Sequence, residues 1–215
     1  MNLLQSEVQS EAIVVSETPE GLAAIHQPDC AAAVWKRRPL PSFQAWIDAL
    51  SPDQLPRARL VLRTDNVHEA TTQICDLCGI PGSDERTLLI EDITATAHIF
   101  SELMSATYLA LRLEVVTTNA CQKFHVDALV ARLVCTYRGT GTQYGLSSEG
   151  VQPRSIFTVP TGAPVVLRGT LWPKRPNSCL LHRSPPIEGT GETRMVLTLD
   201  PVSDSNQHLN QRCIH

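Results

Sequence analysis

The second half of the chain constrains the fold most, because from residue 109 it consists of short strand-like segments separated by glycine and proline. The first segment, residues 109–116, alternates in polarity and is rich in branched side chains, as is typical of a strand. Further strand-like segments cover residues 124–127, 131–137, 155–159, 165–168, 178–182 and 194–199. Many short strands with such turns are typical of a jelly roll or a similar small barrel.

The first half has a different pattern, with apolar side chains at helical spacing. A predicted helix begins at Ser42, and two more cover residues 67–79 and about 91–108. Two short segments, residues 12–15 and 59–63, favour an edge strand and a short strand. Because helices cluster in the first half and strands in the second, the pattern favours the α+β class over alternating α/β.

These patterns divide the chain into three parts. Residues 1–108 are predicted to form a helical N-terminal part that packs on a barrel, and residues 109–200 the barrel itself. Residues 201–215 are polar, so we expect a loose tail. The length of 215 residues fits one domain with an N-terminal extension and allows a sizeable core.

The composition is that of an ordinary soluble protein, with 42% apolar residues and a formal net charge of −4. No basic patch stands out, so we expect no nucleic-acid partner. The chain has no apolar run that could cross a bilayer and no recognisable signal peptide, so we expect neither a membrane partner nor export. Seven cysteines in such a chain favour reduced thiols in the cytoplasm.

The segment Cys-Gln-Lys-Phe-His-Val-Asp at residues 121–127 is the strongest candidate for a functional site. His125 and Asp127 are two residues apart, so on a strand both side chains leave the same face. An imidazole and a carboxylate that point into a fold are costly to bury without a partner, and a divalent metal satisfies both. His182 is available downstream as a third ligand. Two histidines and one carboxylate with open coordination positions form the facial triad of non-haem iron(II) oxygenases.

Four further motifs follow Asp127 along the chain. They are Arg-Leu-Val-Cys-Thr-Tyr at residues 132–137, Gly-Thr-Gly-Thr at 139–142, Gly-Ala-Pro-Val-Val-Leu-Arg-Gly at 162–169 and Thr-Arg-Met-Val-Leu-Thr-Leu at 193–199. Together with the His-x-Asp pair and His182, their order resembles that of the 2-oxoglutarate- and iron(II)-dependent dioxygenases, particularly the prolyl-hydroxylase-like branch. The resemblance covers roughly residues 109–200.

The resemblance implies a double-stranded β-helix of the jelly-roll or cupin-like kind, and an enzyme that hydroxylates a small molecule or a protein. It implies that His125, Asp127 and His182 bind iron(II). Arg194, twelve residues after His182, would bind the carboxylate of 2-oxoglutarate, which a planar guanidinium contacts bidentately. Tyr137 is implied as a second contact to that carboxylate, with packing in the core as the alternative.

The chain as a whole also resembles a bacterial family without an assigned activity. The shared strings are Lys-Phe-His-Val-Asp, Thr-Tyr-Arg-Gly and His-Arg-Ser-Pro-Pro. This second resemblance implies a link to zinc homeostasis, so a non-catalytic zinc-binding protein with the same three ligands is an alternative. A zinc hydrolase is a third hypothesis, for which Glu188 is the general base on offer.

Several other side chains near these motifs have two interpretations each. Cys121 lies four residues before His125 and is either a soft accessory ligand or a packed side chain. Lys123 either meets substrate or is a charge at a strand edge, and Arg183 either pairs with a carboxylate near the site or faces water. The polar loop over residues 145–153 is a candidate lid.

The remaining cysteines and histidines carry weaker signals. Cys75 and Cys78 form a CxxC pair without a second pair of ligands, which favours two buried side chains over a zinc site or a redox pair. His98 is predicted to be structural. The tail residues His208, Cys213 and His215 could collect a metal, although flexible ends usually bind nothing specific.

Overall fold

A computed structural model of the chain describes residues 12–147, 152–173 and 179–202, and within these ranges the fold is mixed α/β with a sheet-rich core. The strands are β1 (Ile13–Ser16), β2 (Ala32–Trp35), β3 (Ala58–Arg63), β4 (Tyr108–Val116), β5 (Ala131–Arg138), β6 (Gln143–Leu146), β7 (Phe157–Thr158), β8 (Val165–Arg168), β9 (Leu180–Arg183) and β10 (Arg194–Val202). The α-helices are α1 (Pro41–Ala49), α2 (Val67–Leu77) and α3 (Asp84–Met104). Short 3-10 helices cover Pro19–His26 and Thr64–Asn66.

The strands form two sheets. A seven-stranded sheet has the order β1-β2-β8-β5-β10-β4-β3, and a three-stranded sheet has the order β7-β6-β9. Neighbouring strands are antiparallel except β1 and β2, which run parallel. The segment predicted as a strand over residues 124–127 forms only an isolated antiparallel bridge, from His125 to His182 of β9. This segment therefore extends the small sheet at a single point.

The large sheet has one face toward the helices and one toward the small sheet, and strand alternation assigns each side chain to a face. Leu133 of β5 and Leu197 of β10 belong to the larger core cluster, together with the buried side of the helices. Val134 and Val196 belong to a second cluster that includes Leu180 of the small sheet. By the same alternation, the even-numbered positions of β10 face the small sheet, so polar side chains at those positions lie in the space between the sheets.

The longest helix, α3, packs its apolar stripe against the large sheet. Its fully buried side chains recur every three or four residues, at Leu89, Ile93, Ala97 and Phe100. Ser83 caps its first turn by accepting a hydrogen bond from the Arg86 amide at 3.1 Å. The sequence predicted this helix seven residues too late and continued it into β4, because the cap at Ser83 was not recognised. No helix within the described ranges is long and apolar enough to span a membrane.

The first half of the chain is not simply helical. The strands predicted at residues 12–15 and 59–63 are confirmed as β1 and β3, and β2 is an additional strand that was not predicted. All three join the large sheet, so the prediction that helices precede strands is wrong at this level. Three of the four residues of β2, Ala-Ala-Val-Trp, are buried. Its sequence therefore lacks the alternation of apolar and polar residues that indicates a half-buried strand.

A short segment after β8 holds the loop that follows Asp127. The amides of Gly169, Thr170 and Leu171 donate hydrogen bonds of 2.8–3.0 Å to the carbonyls of Val130, Asp127 and Leu129. These bonds bring the two backbones so close that a Cβ on Gly169 would overlap the Leu129 carbonyl oxygen. Residue 169 therefore accommodates glycine alone, and its contact fixes the backbone at Asp127.

We predict that Gly169→Ala destabilises the protein by about 1–3 kcal/mol, because the new methyl group forces the two backbones apart. Gly82→Ala is the matched control, since a Cβ at Gly82 meets no atom within 4 Å. Urea denaturation of the two variants and the wild type measures the difference. Equal unfolding midpoints for Gly169→Ala and Gly82→Ala would contradict the close contact.

Candidate metal centre

Two histidines from distant parts of the chain lie side by side. The amide of His125 donates to the carbonyl of His182, and the amide of His182 donates back, both at 3.0 Å. This antiparallel bridge places the two rings with centroids 4.5 Å apart and an interplanar angle of 51°. The two predicted histidine ligands are therefore brought together by backbone hydrogen bonds, and their side chains share one face.

Asp127 completes a cluster of three metal-ligating side chains. Its Oδ2 lies 3.1 Å from Nε2 of His182, and its Oδ1 lies 3.6 Å from Nε2 of His125. One ligand atom from each of the three residues lies within 4.8 Å of the others. The side chains of Asp127 and His182 are 12% and 8% exposed, whereas that of His125 is 35% exposed, so the cluster is open to solvent on the His125 side.

The hydrogen bonding of His125 defines which ring nitrogen faces the cluster. Its Nδ1 lies 2.8 Å from the carbonyl oxygen of Lys123, and because a carbonyl only accepts, Nδ1 must donate. In the neutral ring Nε2 is then an acceptor, and it points toward the Asp127 carboxylate. Two hydrogen-bond acceptors that face each other require a proton or a cation between them, and a carbonyl bond to the outer nitrogen is typical of a metal-bound histidine.

The two oxygens of Asp127 have different environments. Oδ1 accepts a hydrogen bond of 2.7 Å from Nη1 of Arg132. Oδ2 is buried and, although His182 is near, no residue in the described part of the chain donates an aligned hydrogen bond to it. A buried acceptor without a donor costs about 1–3 kcal/mol. A divalent cation at Oδ2 would satisfy it, so the donor set fits a metal.

The electrostatics keep the cluster ready to bind a cation. Burial alone would raise the pKa of Asp127, but the close imidazoles of His125 and His182 and the charge of Arg132 outweigh it and hold the pKa well below its usual range. The neighbouring Asp127 carboxylate raises the pKa of His125, partly offset by burial. The carboxylate is thus ionised at neutral pH, as a metal ligand must be.

Arg132 belongs to a chain of ion pairs that crosses the inner face of the large sheet. Its Nε and Nη2 donate to the two oxygens of Asp200 at 2.6 and 2.8 Å. Arg112 donates to the same carboxylate at 2.6 Å and to the hydroxyl of Thr198 at 3.0 Å. Strands β4, β5 and β10 each contribute one charged residue to this chain, which ends at Asp127.

Arg194 lies on the same inner face, at the start of β10, and is 1% exposed. Its Nε donates to the carbonyl of Thr140 at 2.6 Å, and within the described ranges it forms no ion pair. The carboxylate of Glu192, whose charge acts on Arg194, accepts hydrogen bonds from the amide and the hydroxyl of Thr140. Burial lowers the pKa of Arg194 to about 10, and Glu192 partly offsets this, so the guanidinium stays charged at neutral pH. A buried cation that forms no ion pair with any described residue is the second unusual feature of this face.

Tyr137, predicted as a possible contact for a co-substrate, lies on the opposite face of the large sheet. Its side chain belongs to the core cluster on the helix side, and its hydroxyl donates to Oδ2 of Asp92 on α3 at 2.7 Å. The same carboxylate accepts two hydrogen bonds from Arg37, at 2.5 and 2.6 Å. Of the two interpretations of Tyr137, the structure favours packing in the core.

The three accessory candidates have different surroundings. Cys121 is exposed with a φ of 38°, so the strand is not regular there, and among the described residues the metal-ligating group consists of His125, Asp127 and His182. Lys123 contributes its backbone carbonyl, while the residue itself is exposed. Arg183 points away from the cluster: its Nε donates to Gln143 at 2.8 Å, and its guanidinium lies 4.5 Å from the centre of the Phe124 ring.

Three residues that the sequence analysis did not single out lie near the cluster or its support. Arg132 and Asp200 form the ion pairs described above, and Tyr144 is paired in register with His182 across β6 and β9. Tyr144 packs with the inner-face cluster that contains Val134. Side chains an even number of residues apart on a strand lie on the same face. This rule places Arg132 on the face of Val134, two residues later, and Asp200 on the face of Arg194, six residues earlier.

The cysteine pair Cys75 and Cys78 has the features of packed side chains. Both are free thiols on and just after α2, and Cys75 is completely buried. Burial raises the pKa of Cys75 to about 11, partly offset by Arg86, which makes it a poor nucleophile at neutral pH. For Cys75 the prediction of a buried side chain is therefore favoured over the redox alternative, whereas Cys78 is only half-buried.

Other sequence predictions fall partly or wholly outside the described residues. The candidate lid over residues 145–153 includes residues 148–151, which lie outside them, and so do His208, Cys213 and His215. Glu188, the general base of the hydrolase hypothesis, is exposed and accepts a hydrogen bond from Asn119 at 3.0 Å.

Comparisons with known proteins place this geometry in context. A family model described as "Protein of unknown function (DUF1826)" matches residues 16–200. No curated protein matches the sequence significantly. Among solved structures, dioxygenase for auxin oxidation 1 from Arabidopsis thaliana, in a binary complex with 2-oxoglutarate, has a TM-score of 0.54. It is 10% identical, and the match covers 89% of this chain and 92% of that one, so the two share a fold.

Two further structures are less similar. The dioxygenase for auxin oxidation from rice has a TM-score of 0.49 at 12% identity, over 90% of this chain and 83% of that one. An oxidoreductase of the 2OG-Fe(II) oxygenase family from Burkholderia pseudomallei has a TM-score of 0.44 at 14% identity, over 90% and 97% of the two chains. Scores at this level do not support a conclusion about the fold.

We predict that His182→Ala and Asp127→Ala each weaken the binding of divalent metal by more than the roughly 10–100-fold that loss of an outer-shell partner costs. The physical reason is that each removes one of three converging ligand atoms. Calorimetric titration with iron(II) under anaerobic conditions, and with zinc(II), measures the affinity. His98→Ala, which alters an exposed histidine on α3, is the control and should bind as the wild type does. Unchanged affinity in both ligand variants would contradict the site.

We also predict that Cys75 resists a neutral alkylating reagent at pH 8 in the folded protein, whereas the exposed Cys121 and Cys179 react within the same time. Burial and a pKa of about 11 both suppress the thiolate of Cys75. Mass spectrometry of the labelled peptides measures the three rates, with urea-unfolded protein as the control in which Cys75 should react. Labelling of Cys75 in the folded protein as fast as Cys121 would revive the redox interpretation.

Proposed function

We propose that this chain, which belongs to the DUF1826 family of proteins of unknown function, is a non-haem iron(II) oxygenase that uses 2-oxoglutarate. One observation carries the proposal: two imidazoles and a carboxylate form a cluster, and a buried arginine without an ion pair in the described ranges lies on the same face between two sheets. The His125, Asp127 and His182 cluster would be satisfied by a cation, and Arg194 by an anion. A metal ion chelated by an acid that has a second, distal carboxylate would satisfy both.

The strand order supports a double-stranded β-helix, which is the fold that the sequence resemblance implies. From residue 108 onward, the large sheet receives β4, β5, β8 and β10. The small sheet receives the segments between them: His125 after β4, β6 and β7 after β5, and β9 after β8. Eight segments that pass between two sheets in this order are typical of a jelly roll, which supports the proposed fold. The fold shared with the Arabidopsis dioxygenase is in agreement with it.

In this proposal His125, Asp127 and His182 hold iron(II), with Nε2 of His125 and Oδ2 of Asp127 as donor atoms. The bound metal would leave three positions for a 2-oxo acid and oxygen, and would supply the oxygen activation that couples decarboxylation to hydroxylation of a substrate. The Arabidopsis neighbour is a dioxygenase in complex with 2-oxoglutarate, which supports this choice of co-substrate. The substrate, a small molecule or a protein, would approach from the more exposed His125 side.

Arg194 would bind the distal carboxylate of 2-oxoglutarate. Within the described ranges only its Nε is hydrogen-bonded, to Thr140, so the terminal nitrogens remain for a bidentate contact. Burial strengthens an ion pair that is fully formed. Tyr144 takes the place that the sequence analysis gave to Tyr137, because it lies on the inner face and opposite His182. The role of these residues is to orient the acid and to exclude water from the site.

The zinc-binding alternative uses the same three ligands, but it assigns no role to the buried Arg194. The link to zinc homeostasis remains a prediction from the sequence resemblance. We also propose that the protein works in the cytoplasm, where its six free thiols within the described ranges would stay reduced.

We predict that anaerobic addition of iron(II) followed by 2-oxoglutarate produces a weak charge-transfer band that requires both additions. In Arg194→Ala the band should need at least about 30-fold more 2-oxoglutarate, because loss of a buried charge partner costs about 2 kcal/mol or more. Iron(II) affinity measured without 2-oxoglutarate should not change in this variant. Visible absorption during the titration measures both effects.

The control for this experiment is Arg138→Ala, which removes an arginine of β5 that donates to the Leu50 carbonyl at the end of α1. It should leave the band and its 2-oxoglutarate dependence unchanged. No band in the wild type, together with tight zinc(II) binding that requires His125 and His182, would overturn the oxygenase and favour the zinc alternative.

A further inference from the structure

We infer that Arg132 is a positioning residue that offers only one oxygen of Asp127 to the metal. This inference rests on the metal site of the proposed function and goes beyond it, because it assigns a role to a residue outside the three ligands. Two observations carry it: Arg132 donates to Oδ1 of Asp127, and none of the described residues provides an aligned donor to Oδ2.

Arg132 divides its guanidinium between two carboxylates. Nη1 donates to Asp127 at 2.7 Å, while Nε and Nη2 donate to Asp200 at 2.6 and 2.8 Å. The side chain is 17% exposed, and those of Asp127 and Asp200 are 12% and 6% exposed, so water competes little with these bonds. Because a guanidinium is planar and rigid, fixing two of its nitrogens on Asp200 also fixes the third against Asp127.

The far end of the chain is fixed as well. Arg112 donates to Asp200 at 2.6 Å and to Thr198 at 3.0 Å, which anchors the Asp200 carboxylate to β4 and β10. The backbone of Asp127 is held separately, by the Thr170 amide that donates to its carbonyl at 2.9 Å. With both its backbone and Oδ1 fixed, the Asp127 carboxylate has little freedom to rotate about its terminal bond.

The consequence is a carboxylate that binds a metal through Oδ2 alone. If Oδ1 were free, the carboxylate could rotate and chelate the metal with both oxygens, and an additional coordination position would be filled. Outer-shell partners of this kind typically change metal affinity by about 10–100-fold. Arg132 would thus keep a coordination position open for other ligands.

Charge and orientation must be separated in the test, because removal of a cation beside a metal site favours the metal on electrostatic grounds alone. Arg132→Lys keeps the charge but loses the planar fork, since an ammonium cannot hold two carboxylates in one fixed geometry. Its effect on metal binding therefore reports orientation. Arg138→Lys is the matched control, because Arg138 lies on the same strand and hydrogen-bonds only to carbonyls of the α1 region within the described ranges.

The experiment is a titration of metal-free protein with cobalt(II), followed by calorimetry and by the visible spectrum of the bound ion. We expect Arg132→Lys to bind cobalt(II) about 10–100-fold more weakly and to change the shape of the visible bands. Arg138→Lys should match the wild type in both measurements. Urea denaturation of both variants shows how much stability each has lost.

A second variant keeps the test valid if Arg132→Lys does not fold. Asp200→Glu also conserves charge, but it moves the anchoring carboxylate by one methylene, so it should weaken cobalt(II) binding in the same direction. Both substitutions disturb the same Arg132–Asp200 ion pair, so their effects should not add. The cobalt(II) affinity of the double variant should therefore lie within about threefold of that of the single variant that binds cobalt(II) more weakly.

The inference would be overturned if Arg132→Lys had the cobalt(II) affinity and the visible spectrum of the wild type, whatever its stability. It would also be overturned if Asp200→Glu left the affinity and the spectrum unchanged. The measurement uses neither 2-oxoglutarate nor oxygen. A weakened, spectrally altered Arg132→Lys without any 2-oxoglutarate band in the wild type would overturn only the oxygenase. A wild type that does not bind cobalt(II) would overturn the metal site itself.

Discussion

The site depends on two backbone hydrogen bonds, which join His125 to His182. They connect a segment with no regular strand pairing of its own to β9, so the separation of the two imidazoles is set by this single bridge. The Ser184 amide, which donates to the Cys121 carbonyl at 3.2 Å, supports the bridge on one side. A shift of β9 by one residue would turn His182 to the other face and destroy the cluster, since strand side chains alternate.

Compensation of buried charge is the second constraint. Asp127 and Asp200 are each paired with Arg132, and Arg112 completes the pairing of Asp200, so this part of the inner face is balanced. Arg194 stands apart, buried and without an ion pair in the described part of the chain. A face that combines a balanced cluster rich in acceptors with one uncompensated cation is suited to a cation and an anion held together, which is what a metal chelated by a dicarboxylic 2-oxo acid would provide.

The sequence was sufficient for the residues that belong to a motif and insufficient for those whose role depends on strand pairing. His125, Asp127 and His182 were predicted from spacing and order, and they do lie together. Arg132 and Asp200 could not be connected from the sequence, because their contact exists only where β5 and β10 are neighbours.

The position of Tyr137 also depends on the fold and could not be read from the motif alone. The resemblance supplied a tyrosine near the co-substrate, but not which face of β5 it would occupy. Tyr137 shares odd parity with Leu133, which packs on the helix side, whereas Arg132 shares even parity with Val134 on the inner side. Its hydroxyl is then used by Asp92 of α3, which Arg37 also holds. The two faces of β5 therefore have different surroundings. The outer face packs against the helices of the first half, and this apolar packing supplies stability that offsets the cost of burying charged side chains on the inner face.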